Sequence, residues 1–179
     1  MMRCAYAAFL AIVLAALPAA AQDRLPLDAF FGTWSGTGVA EDDDSLFFAV
    51  TARDLDIVIR PHEDGFRIDW TTLIRSGGDP SNPDVRRRSA TLVLRPAGQP
   101  GLYRGAESGD PLQGGTMSWA RIHGSTLSVY ELTLNEDGGY ELTNYDRTLN
   151  DLGMESLFQR IRDGEVVRVV RGRLVKTGS

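Results

Sequence analysis

The stretch TMSWARIHGSTLSVYELTL, residues 116–134, decides the fold class of this chain. Two runs rich in β-branched, aromatic and aliphatic residues, Thr116 to Ile122 and Thr126 to Leu134, flank the short sequence His123-Gly124-Ser125. Glycine supplies the positive φ angle that tight turns between antiparallel strands require. The stretch is therefore predicted to be a β-hairpin.

The same pattern continues on both sides of this hairpin. Short apolar runs alternate with clusters of Gly, Pro, Asn and Asp, which is typical of short antiparallel strands. A helical turn is expected at Leu27–Phe31. Further strands are expected at Trp34–Val39, in Leu46–Ile59 (one bent strand or two), and at Phe66–Ile74, Arg88–Leu94, Leu102–Gly105, Tyr140–Leu149 and Val166–Val175.

One short helix is predicted near the C-terminus, at Asn150–Ile161. Its apolar residues are spaced as on one face of a helix, and Asp163-Gly164 ends the pattern. With eight to ten strands and short links, the chain is predicted to be all-β, an antiparallel up-and-down barrel that hides its strand edges. A β-sandwich stays open as the alternative, because periodicity does not separate the two architectures.

The N-terminus has the pattern of a cleavable secretory signal peptide, residues 1–21. Arg3 precedes an uncharged apolar run from Ala5 to Leu17, and Ala19-Ala20-Ala21 supplies the small residues that a signal peptidase requires. The apolar run is shorter than the roughly 20 residues of a membrane-spanning helix. We therefore expect one barrel domain, residues 22–179, in the periplasm or secreted, without an integral membrane anchor after cleavage.

Composition narrows the function further. Cys4 is the only cysteine and lies in the predicted signal, so no disulfide or thiol chemistry is expected in the mature domain. The chain has 19 Lys+Arg and 24 Asp+Glu; without Arg3 the mature domain has 18 and 24, a net charge of −6. This acidic balance argues against nucleic acid as a partner.

The sequence Phe31-Gly32-Thr33-Trp34-Ser35-Gly36-Thr37-Gly38 stands at the start of the first predicted strand. The Gly-x-Trp pattern of Gly32 and Trp34 resembles the opening motif of the calycin barrels, which include lipocalins, fatty-acid-binding proteins and avidins. The resemblance implies a lipocalin-like barrel whose tryptophan closes one end and packs against an arginine of the last strand, here Arg171 or Arg173. The alternative is a core tryptophan of an unrelated β fold.

A barrel of this size has room for one small ligand. In Phe66–Ile74 the better inward face carries Trp70, and the large aromatic residues predicted to bind a ligand are Trp70, Trp119 and Tyr130. The alternative is that these side chains only fill the core.

No residue cluster predicts catalysis, a metal site or a cofactor. His62 and His123 lack metal-ligand spacing, and the acidic run at residues 41–44 lacks the alternation of a calcium loop. Arg86-Arg87-Arg88 is predicted to be a solvated strand edge, with anion binding by Arg86 and Arg88 as the alternative.

We therefore expect an exported periplasmic lipocalin-like protein that binds a small apolar or amphiphilic ligand. The alternative is a non-enzymatic structural or interaction protein of the cell envelope without a small ligand. The sequence does not decide whether the chain is an enzyme, but it favours a non-enzymatic role because it shows no catalytic cluster.

Overall fold

A computed structural model describes residues 24–42, 51–75 and 85–179 of the chain. These ranges form ten antiparallel strands and two 3-10 turns, Leu27–Phe30 and Pro111–Gln113. The strands are β1 (Gly32–Asp42), β2 (Thr51–His62), β3 (Gly65–Arg75), β4 (Val85–Pro96), β5 (Leu102–Gly105), β6 (Met117–His123), β7 (Thr126–Leu134), β8 (Tyr140–Asn150), β9 (Gly153–Arg162) and β10 (Glu165–Gly178).

The strands form a closed up-and-down barrel. Each strand pairs with its neighbours in chain order, and β1 also pairs with β10, which closes the sheet. The predicted antiparallel barrel is thus confirmed, and the β-sandwich alternative is excluded because all ten strands belong to one sheet. The hairpin at residues 116–134 is present as β6 and β7, in register from Met117↔Leu132 to His123↔Thr126.

The predicted helix at Asn150–Ile161 is wrong, because this segment is the turn before β9 and most of β9 itself. Asn150 Oδ1 accepts a hydrogen bond from the Leu152 N–H (2.9 Å), and Gly153 adopts a φ of 129° as the strand begins. The apolar residues that suggested a helical stripe lie on both faces of the strand, since Phe158 lines the lumen and Ile161 faces outward. Pairing with β8 on one side and β10 on the other outweighs local helix propensity.

Glycines allow β1 and β10 to approach closely where the barrel closes. A Cβ atom on Gly36 would overlap the carbonyl oxygen of Arg173. A Cβ on Gly172 would come within 2.5 Å of Leu55 Cδ1, so this glycine leaves room for an inward side chain of β2. The glycine-rich run of β1 therefore serves close backbone packing as well as the strand itself.

One end of the barrel is filled and covered. The segment before β1 crosses this end, where the Leu25 N–H donates to the Gly124 carbonyl (2.8 Å) between β6 and β7. Phe30, in the first 3-10 turn, is fully buried against the lumen. The core beneath it consists of inward residues of almost every strand: Trp34, Ile57, Ile59, Phe66, Ile68, Leu94, Ala120, Ile122, Leu127, Val129, Met154 and Leu174.

The wall is incomplete beside β4. This strand pairs with β3 along Val85–Leu94, but it meets the short β5 only at Leu94–Pro96. Among the described residues no strand pairs with the second edge of the first half of β4, and Arg88 and Ala90 are exposed although they alternate inward with buried Leu94. Within the part of the chain that the structure describes, the lumen is therefore open at this side and end.

Candidate ligand-binding cavity

A cavity of about 520 Å³ occupies the half of the lumen that the core does not fill. Its volume lies within the roughly 300–1,000 Å³ of typical small-molecule sites. Apolar side chains from four strands form much of the lining: Leu55, Ile57, Trp70, Phe158 and Val170. The cavity thus continues the hydrophobic core toward the open side of the barrel.

Aromatic residues form the floor of this cavity. Trp70 on β3 contacts Tyr145 on β8, with ring centroids 5.2 Å apart, and Tyr145 contacts Phe158 on β9 at 4.9 Å. In the ring of ten strands β3 and β8 lie on opposite walls, so the contact between Trp70 and Tyr145 spans the lumen. It separates the packed core from the cavity above it.

Arginines dominate the polar part of the lining. Among the described residues, six arginines and no aspartate or glutamate line the cavity: Arg53, Arg87, Arg88, Arg147, Arg160 and Arg168. Arg160 forms an ion pair with Glu141 (3.3 Å) and lies over the Phe158 ring, 5.9 Å from its centroid. The cavity of this acidic protein is therefore lined by cations.

Arg147 is the most deeply placed of these arginines. Its relative exposure is 1%, and its guanidinium lies 5.7 Å from the Trp70 ring centroid and 5.4 Å from that of Tyr145. Its Nη1 donates one long hydrogen bond, 3.5 Å, to the Tyr145 carbonyl, while the buried Nε has no hydrogen-bond partner. Burial lowers the pKa of Arg147 to about 10.

Glu131 is an acidic residue of β7 whose side chain lies on the inner wall of the barrel. It alternates with buried Leu127 and Val129 and pairs across to Ser118 and Thr143. Burial raises the pKa of the Glu131 carboxyl. Because it does not belong to the cavity lining, it leaves the cationic character of the lining unchanged.

The three aromatic residues predicted to bind a ligand lie in different places. Trp70 lines the cavity, as expected from the alternation of β3. Trp119 and Tyr130 do not line it, because they alternate with buried Ala120 and Val129 and so face outward. Their rings stack on the outer wall with centroids 4.9 Å apart. The sequence left the inward face of β7 undecided, since both faces are mixed.

Beside this stack lies an apolar row on the outer wall, which we call the outer row. It consists of cross-strand neighbours from β6 to β10: Met117, Leu132, Leu142, Ile161 and Val166. Met117 is 41% exposed and Val166 39%. The opposite outer wall is polar, as shown by the Arg67–Asp69 ion pair (2.7 Å) on β3.

The Gly-x-Trp residues lie at the covered end of the barrel. Gly32 has a φ of 133°, and Trp34 is 5% exposed, with its Nε1 donating to the Phe30 carbonyl at 3.0 Å. The cation over the Trp34 ring is Lys176, whose Nζ lies 5.5 Å from the centroid.

The predicted partners of Trp34, Arg171 and Arg173, are not the residues that contact it. Both are exposed and alternate with inward Val170 and Leu174, so they point away from the lumen. Lys176 is the cross-strand neighbour of Trp34 and lies on the inward side of β10. Which basic residue of β10 contacts Trp34 depends on the register between β1 and β10, and the sequence does not give this register.

Other predicted features fall outside the cavity or only at its edge. Arg87 and Arg88 reach the lining, whereas Arg86 does not. His62 and His123 lie at strand ends beside the β2–β3 and β6–β7 turns. The acidic run at residues 41–44 ends outside the described residues.

Within residues 24–42, 51–75 and 85–179, no group of three or more His, Cys, Asp and Glu side chains is placed to hold a metal ion. The same ranges contain no helix with the length and hydropathy needed to span a membrane.

Comparisons with known proteins show similarity at the level of the fold. No protein-family model matches this chain, and no curated protein sequence matches it. The barrel is similar to the structure of the S-type phycobiliprotein lyase CPES from Guillardia theta, with a TM-score of 0.40 and 10% sequence identity. The similarity covers 86% of this chain and 91% of that chain.

Proposed function

We propose that this chain is an exported binding protein whose barrel holds a small amphiphilic molecule. The observation that carries the proposal is the cavity of about 520 Å³ above the aromatic floor. A barrel that served only as a rigid scaffold would gain stability by filling this space with side chains, because interiors normally pack to high density. Here the packing stops at Trp70 and Tyr145, and the remaining space opens beside β4.

The lining supports an amphiphilic rather than a purely polar ligand. Leu55, Ile57 and Val170 offer aliphatic surface, and the aromatic rings of the floor offer flat apolar faces. Hydroxyls of Thr72 and Ser156 and the guanidinium groups of the lining arginines supply the polar contacts. Mostly apolar lining with a few convergent polar groups is the usual character of a small-molecule site.

Export is part of the proposal and is supported by the sequence of residues 1–21. N-terminal sequencing of the protein recovered from outside the cytoplasm is expected to begin at Gln22. A mature N-terminus at Met1 would contradict export through a cleaved signal.

Binding is tested with a neutral apolar fluorophore, N-phenyl-1-naphthylamine, and a variant that fills the cavity. Ala90 lines the cavity beside its cross-strand neighbour Trp70. We expect saturable binding to the wild-type protein and at least about a tenfold weaker affinity for Ala90→Trp, because the new indole occupies ligand space. The matched control is Thr37→Trp, which adds the same side chain on the exposed outer face of β1. Equal binding by all three proteins would place the fluorophore outside the cavity and contradict the proposal.

The outer row favours a second candidate, a protein-interaction role in the envelope. Exposed contiguous apolar surface on one wall is typical of interaction sites. A photo-cross-linking residue at Leu132, in the outer row, is then expected to capture a defined partner in cells, and one at exposed Thr37 is not. Identical cross-linking patterns from both positions would contradict this candidate.

A further inference from the structure

We propose that the ligand carries a carboxylate that pairs with Arg147 at the inner end of the cavity. This inference rests on the proposed function and specifies the chemical class of its ligand: an apolar molecule with one acidic group. The anionic group enters first and lies against the aromatic floor, and the apolar body fills the space toward β4.

Arg147 is deeply buried. A guanidinium that is 1% exposed has lost nearly all its water, which is costly unless an anion and full hydrogen bonding replace it. Arg147 makes no ion pair with a described carboxylate, and its Nε donates to nothing. Its Nε donor therefore remains available at the inner end of the cavity.

The rings around Arg147 compensate only part of this cost. Contacts of the cation with the faces of Trp70 and Tyr145 are favourable but weaker than a bidentate ion pair. Burial lowers the pKa of Arg147 to about 10, so the group is still charged at neutral pH. A cation remains inside the barrel without a matching anion from the described chain.

Neighbouring acids are engaged elsewhere. Asp146, next in sequence, faces the outer wall and accepts hydrogen bonds from Ser128 Oγ (2.5 Å) and Asn144 Nδ2 (3.1 Å). Glu141 is held in ion pairs with Arg160 and Arg162, both at 3.3 Å. Neither of these carboxylates forms an ion pair with Arg147.

The surroundings of Arg147 favour a carboxylate. Its planar fork of N–H groups matches the two oxygens of a carboxylate. Ser156, its cross-strand neighbour on β9, also lines the cavity and has a hydroxyl that can donate to the same group. The other lining arginines lie toward the opening and raise the potential along the entry path of an anion.

The test compares cis-parinaric acid with its methyl ester, a fluorescent pair that differs only in the charge of one end. We expect wild-type protein to bind the acid at least about tenfold more tightly than the ester, as a buried charge-assisted hydrogen bond would provide. Arg147→Met is expected to abolish this preference and to leave ester binding within about twofold. Arg171→Met removes an exposed outer arginine of β10 and is expected to change neither affinity.

The unliganded stability of Arg147→Met gives an independent readout. Replacing a buried, unpaired cation by an apolar side chain of similar length is expected to raise the midpoint of thermal unfolding. A large fall in this midpoint would show that Arg147 supports the core and would contradict the inference. Arg147→Lys, which keeps the charge without the planar fork, is expected to retain only part of the preference for the acid.

The outcomes separate this inference from the proposed function. Equal affinities of wild-type protein for acid and ester would overturn the carboxylate and leave a binding barrel. No saturable binding of either probe would overturn both. If inorganic phosphate displaces the acid at micromolar concentration, the site serves a free anion and the assignment of an apolar carboxylate is wrong.

Discussion

At the scale of single residues, Trp34 and Arg147 show two ways of burying a polar group. The Trp34 indole N–H donates to the Phe30 carbonyl, so this side chain closes the barrel with its one donor satisfied. Arg147 is buried as deeply, but its Nε is left without a partner. Since almost all buried polar groups in folded proteins are paired, the unpaired Nε of Arg147 supports our proposal that a ligand binds beside it.

Glu131 provides a prediction for the dependence of stability on pH. Burial raises its pKa, so the folded state holds the proton more tightly than the unfolded state does. The ionised carboxylate therefore lowers stability at neutral pH, and this loss disappears as the pH falls below the ordinary pKa of glutamate, about 4.3. Glu131→Gln is expected to unfold at higher urea concentration than wild type at pH 7.5 and at a similar concentration near pH 4.

The matched control for this measurement is Glu136→Gln. Glu136 is exposed in the turn between β7 and β8, and its removal is expected to leave the urea midpoint nearly unchanged at both pH values. A Glu131→Gln protein that is less stable than wild type at pH 7.5 would contradict the claim that the buried, ionised Glu131 carboxylate destabilises the folded state.

The sequence predicted a cavity residue on β3 but not the buried arginine on β8. Trp70 was identified from the alternation of β3, and Trp34 from its position after Gly32. Arg147 was not singled out, although it lies two positions after Tyr145, which places both on one face of β8. Which face turns inward depends on packing across the barrel, and the mixed faces of β7 and β8 do not reveal it.

At the scale of elements, backbone approach between β1 and β10 decides whether the barrel closes. Gly36 faces Leu174 across the seam, and no side chain fits at this position without displacing the backbone of Arg173. The approximate positions of most strands were predictable from the sequence, because each of these strands is a run of β-forming residues bounded by turn-forming residues. The pairing of the first strand with the last was an inference from edge protection, since no local signal joins residues so distant in sequence.

Gly36→Ala is expected to destabilise the protein by about 1–3 kcal/mol, as is typical when a methyl group is forced into tightly packed structure. The neighbouring Thr37→Ala removes exposed atoms on the outer face and is expected to cost much less. Chemical denaturation of the two variants measures the difference. A Gly36→Ala protein as stable as wild type would contradict the tight β1–β10 seam.

β9 shows where prediction from local spacing fails. Met154, Leu157, Phe158 and Ile161 fit one helical face, but the same residues also fit a strand with apolar side chains on both faces. In such a strand the apolar residues can have the same spacing as on one face of a helix. Here Ile161, which belongs to the outer row, is an apolar residue on the outer face of β9. The residues that indicate a turn instead of a helix are Asn150, whose side chain accepts a backbone hydrogen bond, and Gly153, which has a positive φ. The strand β9 begins at Gly153, three positions after the start of the predicted helix.

At the scale of the whole molecule, the barrel is divided into a packed half and an open half. The chain has a net charge of −5, yet the described residues that line the cavity include six arginines and no carboxylate. Charges of one sign in a cleft with low-dielectric walls concentrate the opposite charge there. The acidic balance of the sequence argued only against nucleic acid as a partner, and the fold shows that the described lining of the cavity is cationic.

The measurement that tests the central claim most directly is native mass spectrometry of the mature protein, purified without detergent from cells that export it. The account predicts an additional mass that is lost on collisional activation and is absent from the cavity-filled Ala90→Trp protein. A wild-type protein that shows only the apo mass, and that also binds neither the acid nor the ester probe, would contradict a ligand-binding barrel.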